Sequence, residues 1–181
     1  MVWTEFVYSK HKTNAMKRML FFVCFSFSIL IAKAQDLPNF RYIRIVEPSD
    51  FNESTDKAAL QAADYILSIP PSPKNKTWAS ASDYLLNWMA GTPKYTFTLD
   101  ETGTALIKKD ANILLVYMAT MVKTQLEDTA TLKDAKQLKI KAIKQLIAYA
   151  QIPTNNIKIS GELKKIIELN NKGELEDYLK R

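Results

Sequence analysis

The chain reads as mainly α-helical: a compact bundle of five to six helices, with at most one small two-stranded β element in its N-terminal half. Three observations predict this. Apolar residues recur at three- and four-residue spacings through most of residues 54–180. The four glycines and seven prolines fall between these periodic segments or at their edges. Residues able to satisfy the open backbone N–H groups of a helix start stand before several of them.

Residues 36–48 look extended, because Phe40-Arg-Tyr-Ile-Arg-Ile-Val46 alternates arginine with aromatic or aliphatic residues, and Pro48 ends the run. A helix is predicted over 54–69, with Ala58, Ala59, Ala62, Tyr65, Ile66 and Ile69 on one face and Pro70-Pro71 stopping it. A second spans Thr77 to Ala90, striped by Trp78, Ala81, Leu85, Trp88 and Met89, and ends at Gly91-Thr-Pro93. Tyr95-Thr-Phe-Thr-Leu99 alternates strictly, as a short strand does; Asp100-Glu-Thr-Gly103 then either starts a hairpin or leads directly into the next helix. That helix, 111–127, is capped by Asp110 and apolar nearly all round, the mark of a central helix packed on several sides. Thr131-Leu-Lys-Asp134 resembles a capping box for a helix running to about Gln151. Ser160 caps a fifth helix over 161–171, and Gly173 separates it from a short last one over 174–180. No repeat recurs at a fixed spacing, which argues against a solenoid.

The first 34 residues are of a different kind. Lys17 and Arg18 precede an uncharged apolar run of 14 residues, 19–32, and Ala32-Lys-Ala34 follows it. A positive head, an apolar middle and small residues at a cleavage point are the three parts of a secretory signal peptide, here 16–34. The run is short of the roughly 20 apolar residues that span a bilayer. Met16 is then the expected initiator, residues 1–15 an upstream extension, and 35–181 a single exported domain of 147 residues.

Cleavage after Ala34 has chemical consequences. The single histidine, His11, and the single cysteine, Cys24, both precede it. The exported domain then excludes thiol nucleophiles, disulfides, histidine-based triads and imidazole or thiolate metal sites. No metal site and no cofactor is expected. The formal charge of +6 includes five basic residues and one acid in residues 1–34, so the domain carries 20 basic against 18 acidic residues. A domain so nearly balanced is not expected to bind nucleic acid, nor to insert stably in a membrane once the leader is gone.

The remaining candidates are modest. Trp78, Tyr84, Trp88, Tyr95 and Phe97 cluster within twenty residues. Their spacings fit core packing, and Trp88 with Tyr95 is the pair expected to stack a ligand if a groove exists. Lys133, Lys136, Lys141 and Lys144 gather on one helix side, where a solvated face explains them and an anionic surface is the alternative. Carboxylates are scattered; Asp83 and Asp110 read as helix caps, and no catalytic residue is assigned. Asn52-Glu-Ser54 and Asn75-Lys-Thr77 match the N-glycosylation sequon, and no calcium-loop pattern is present.

Ala63-Asp-Tyr65, Leu86-Asn-Trp88-Met-Ala-Gly91-Thr-Pro93-Lys-Tyr95-Thr-Phe97 and the ending Asn170-Asn-Lys-Gly173-Glu-Leu-Glu-Asp-Tyr178-Leu resemble small exported helical proteins of Bacteroidota with no established function. The resemblance implies a helical fold in the periplasm or outside a Gram-negative cell, and brings no catalytic residue. Asp128-Thr129-Ala130 likewise resembles the short O-glycosylation motif of such exported proteins, making Thr129 the candidate modified residue. The function expected is a non-catalytic binding or interaction module of the cell envelope, its partner an envelope protein or other envelope component. The alternative is an envelope hydrolase that works with carboxylates alone. N-terminal sequencing of exported protein is expected to start at Gln35; a mature chain retaining Trp3 overturns the leader assignment.

Overall fold

Two asparagines set where the helical part begins. The Asn52 side-chain oxygen accepts hydrogen bonds from the Ser54 and Thr55 N–H groups (3.0 and 3.4 Å), and Thr55 Oγ1 accepts from the Asn52 N–H (2.9 Å). Asn75 does the same for Thr77 and Trp78 (2.9 and 3.1 Å). Both sequons are thus helix starts, with asparagine at the N-cap, where its short acceptor reaches the unpaired donors of the first turn.

The computed structural model describes residues 37–107, 111–128, 134–159 and 161–180. The expected signal peptide at 16–34, the expected extension at 1–15, the caps expected at Asp110 and Ser160, the Thr131 end of the capping box, and Thr129 lie outside the described residues. Seven helices are described: α1 (Glu53–Ser68), α2 (Lys76–Gly91), α3 (Glu101–Ile107), α4 (Ala111–Glu127), α5 (Ala135–Ala150), α6 (Gly161–Lys172) and α7 (Leu175–Leu179). The bundle predicted from the spacings is present. No described helix is long and apolar enough to cross a membrane.

α4 lies at the centre, between two apolar clusters. On one flank Ala119 and Val122 meet Ala58, Ala59, Ala62, Ala63 and Ile66 of α1 and Trp78, Leu85 and Trp88 of α2. On the other, Ile113, Val116, Tyr117 and Met121 meet Ile140, Ile143, Leu146 and Ile147 of α5, with Leu163, Ile166 and Leu175 beyond. The alanines of α1 leave no bulk between its backbone and α4, so the two helices sit close. Thr120 and Thr124, buried in α4, return their hydroxyls to carbonyls of the preceding turn, Tyr117 O and Thr120 O (both 2.7 Å). Buried phenols tie helix ends together: Tyr84 donates to Thr55 O (2.9 Å), and Tyr149 to Ile69 O (2.7 Å). Burial pushes the Tyr149 phenol up to about 12. α6 ends in a Schellman turn. Gly173, at φ +77°, donates to Asn170 O (3.1 Å), and the Glu174 N–H reaches Leu169 O (2.9 Å).

Several expectations are corrected. No strand forms among the described residues. Phe40–Tyr42 is a 3₁₀ turn, and 43–46, like Tyr95–Leu99, joins neither a helix nor a ladder. In both segments alternation marks one face laid on helices: Phe40 against Tyr84 (ring centres 5.8 Å apart), and Tyr95 and Phe97 against Trp88. Asp83 sits mid-way along α2 and caps nothing. Asp134 is itself the N-cap of α5, accepting from the Lys136 N–H (2.8 Å), so that helix starts at Ala135. α3, read as turn chemistry, is an additional short helix.

The N-cap assignment has a measurable outcome. Asn52→Ala and Asn75→Ala should each lower stability by about 1 kcal/mol, while Asn52→Asp should retain most of it. Urea midpoints at constant m report this; no shift in either alanine variant contradicts the capping role.

Candidate functional site

The expected aromatic groove is filled. Trp88 is 0 % exposed, and the rings of Tyr95 and Phe97 cover it at 5.9 and 6.0 Å. Its indole N–H is satisfied by Asp56 Oδ1 (3.2 Å), whose other oxygen holds Lys94 Nζ (2.6 Å). Trp88 therefore offers no face to a ligand, and Tyr95 is half-buried against it. Packing, the other outcome of the helical spacing, describes both.

A cleft opens on the opposite side of the same segment. With Tyr95 and Phe97 turned to Trp88, the alternating residues Thr96 and Thr98 are exposed and form one wall. The facing wall is the first turns of α5, with Lys136, Leu138 and Lys139; the end of α7 closes it with Leu179 and Lys180. Tyr117 and Met121 of α4 lie at its base. The volume is about 380 Å³, within the range of small-ligand and peptide clefts.

Asp100 organises the inner end. Its Oδ1 accepts from the Gly103 N–H (3.0 Å), which starts α3, and its Oδ2 forms an ion pair with Lys139 Nζ. Gly103 leaves little room there: a Cβ would stand 3.0 Å from Leu99 Cδ2 and 3.2 Å from Tyr117 Cε1, a tight fit against both side chains. Burial pushes the Asp100 carboxyl up, but the Gly103 N–H and Lys139 outweigh it and hold the group below the ordinary aspartate range. Burial, and then the Asp100 charge, push the Tyr117 phenol above the ordinary tyrosine range, so it is a neutral O–H donor at any physiological pH. Tyr117 is 1 % exposed, and its hydroxyl makes no hydrogen bond among the described residues.

The other candidates are placed as follows. The lysine side of α5 divides: Lys141 pairs with Asp128, Lys144 with Glu176 (2.7 Å), and Lys136 lines the cleft; Lys133 lies outside the described residues. Asp100 is the one carboxylate among the residues lining the cleft, and Asp83 the one in a smaller cleft of about 240 Å³ beside Phe40 and Tyr84. Neither cleft sets two carboxylates across from each other, as glycoside hydrolysis requires. Among the described residues two buried polar atoms lack partners, Trp78 Nε1 and Gln145 Oε1, and neither residue lines these clefts. Among the described residues, no group of three or more carboxylate, histidine or cysteine side chains is placed to hold a metal.

Comparison with protein-family models, with curated proteins and with solved structures finds no match to this chain. The cleft's own chemistry remains as guide: open threonine hydroxyls, an unpartnered phenol, an apolar base and a positive rim. Such a surface can hold a polar ligand. Lys139, Lys180 and Tyr117 carry no signal of their own in the chain. Tyr117 hides in the apolar run Ile113–Val122, and only the threonine alternation and the Asp100–Gly103 turn mark the place.

The Asp100–Lys139 link makes acid stability predictable. A carboxyl held below its ordinary value contributes stability above that value, near 3.8, and loses it as pH falls through the lower folded value. Asp100→Asn should therefore flatten the fall in thermal midpoint below about pH 4 and lower it modestly at neutral pH. Identical profiles for the two proteins would remove the linkage.

Proposed function

We propose that the chain is an exported, non-catalytic helical module of the cell envelope, and that it engages an envelope partner through the cleft between Tyr95–Leu99 and the start of α5. The observation that carries this reading is the composition of the cleft: hydroxyls and ammonium groups around an apolar base, with its one carboxylate already held by Lys139 and the Gly103 N–H. The leader at 16–34 supports a periplasmic or extracellular address, and the resemblance to small exported Bacteroidota proteins points the same way. A carboxylate hydrolase receives no such support, because its second carboxylate is missing from the cleft.

A photo-cross-linking residue at Thr98, introduced into the full chain in living cells, tests address and surface together. The expected outcome is a leader-free product in the envelope fraction and an adduct that forms from Thr98 but not from exposed Glu168 on α6. Retention in the cytoplasm overturns the address, and equal cross-linking from both positions overturns the surface.

A further inference from the structure

We propose that the cleft takes an extended, acidic peptide segment, added as a strand alongside Tyr95–Leu99. This rests on the binding role proposed above and names its ligand class.

Tyr95–Leu99 has the sequence alternation of a strand, with Tyr95 and Phe97 on Trp88 and Thr96 and Thr98 in the cleft, yet its backbone N–H and C=O groups make no hydrogen bond among the described residues. Helices satisfy their own donors and acceptors; a segment in neither helix nor ladder leaves a row of them open, and such a row is a template for another chain. The row is also preorganised. Tyr95 and Phe97 are fixed on Trp88, and Asp100 anchors the next turn, so little ordering is needed on binding.

The surroundings select the side chains. Lys136 and Lys180 stand at the rim, while the third lysine of the cleft, Lys139, is neutralised by Asp100. Lys180 has only a long contact to Glu176 (3.6 Å), and that carboxylate is shared with Lys144. The excess charge is positive and fits acidic side chains. Met121, Leu138 and Leu179 are apolar lining that the residues of the other strand face can meet. The Tyr117 hydroxyl, which makes no hydrogen bond among the described residues, belongs to a residue lining the cleft and is a donor that a peptide carbonyl can take. A small amphiphilic carboxylate would use the lysines and the apolar lining, but would leave the open backbone of five residues unused.

The test uses ¹⁵N-labelled protein as isolated from cells and three capped seven-residue peptides. One alternates valine with glutamate, one alternates valine with lysine, and one is the glutamate peptide N-methylated at alternate residues. The glutamate peptide is expected to shift the Thr96, Phe97 and Thr98 amide resonances and slow their hydrogen exchange. Binding should be at least tenfold weaker for the lysine peptide, for the N-methylated peptide, and for the glutamate peptide with K136E/K180E protein. Equal affinity for the N-methylated peptide overturns strand addition, as does a set of shifts that excludes residues 95–99. Octanoate binding as tightly and moving the same resonances assigns the cleft to small amphiphiles instead. No peptide binding up to millimolar concentration also overturns the proposal, while the Thr98 cross-link judges the module reading on its own.

Discussion

A helix that is apolar nearly all the way round cannot lie on a surface, and α4 imposes that constraint on everything else. Each fully buried aliphatic side chain contributes roughly 1.5–3 kcal/mol relative to exposure, so a helix of this kind is stable only if every flank is covered. α1 and α2 cover one flank and α5 with α6 the other. Two of the buried polar residues of α4, Thr120 and Thr124, are accommodated because each returns its hydroxyl to its own backbone. The connections, the tyrosine ties and the clefts are arranged around that sandwiched helix.

The helices were legible because their signals are local. Spacing names the buried face, proline and glycine name the ends, and the structure moves most boundaries by a residue or two. Pairing was less legible. Strict alternation at 95–99 reports one face against a core, and in a sheet protein that core is usually another strand's neighbour. Here it is Trp88, so the alternation is real and the ladder is not. The same holds for 43–46. α3 was hidden for a different reason. It is seven residues long and has glycine inside, a poor helix on propensity, and is held by the Asp100 cap and the burial of Leu106.

The candidate site was scarcely legible at all. Its walls come from residue 96, from the middle of α4, from residues 136–139 and from the last turn, and its central ion pair joins groups 39 residues apart. No window of sequence contains two of its walls. The aromatic cluster drew notice because it is contiguous, yet contiguity on one helix face is what core packing produces. The asparagine triplets are a parallel case: read as modification signals, they serve as caps, since the side chain that can be glycosylated is also the one that best accepts from a first-turn N–H.

The central position of α4 also sets an order of events. α1 and α2 are complete by residue 91, but the wall that closes their cluster, Ala119 and Val122, comes some thirty residues later, and the Asp64–Lys123 pair spans 59 positions. While a growing chain is shorter than that, its first two helices have an open apolar face and no way to bury it. The second cluster waits on the same helix. A polypeptide built this way stays loose until most of it has been synthesised, and then gains both halves of its interior at nearly the same time. On the proposed export route, that delay would keep the chain threadable.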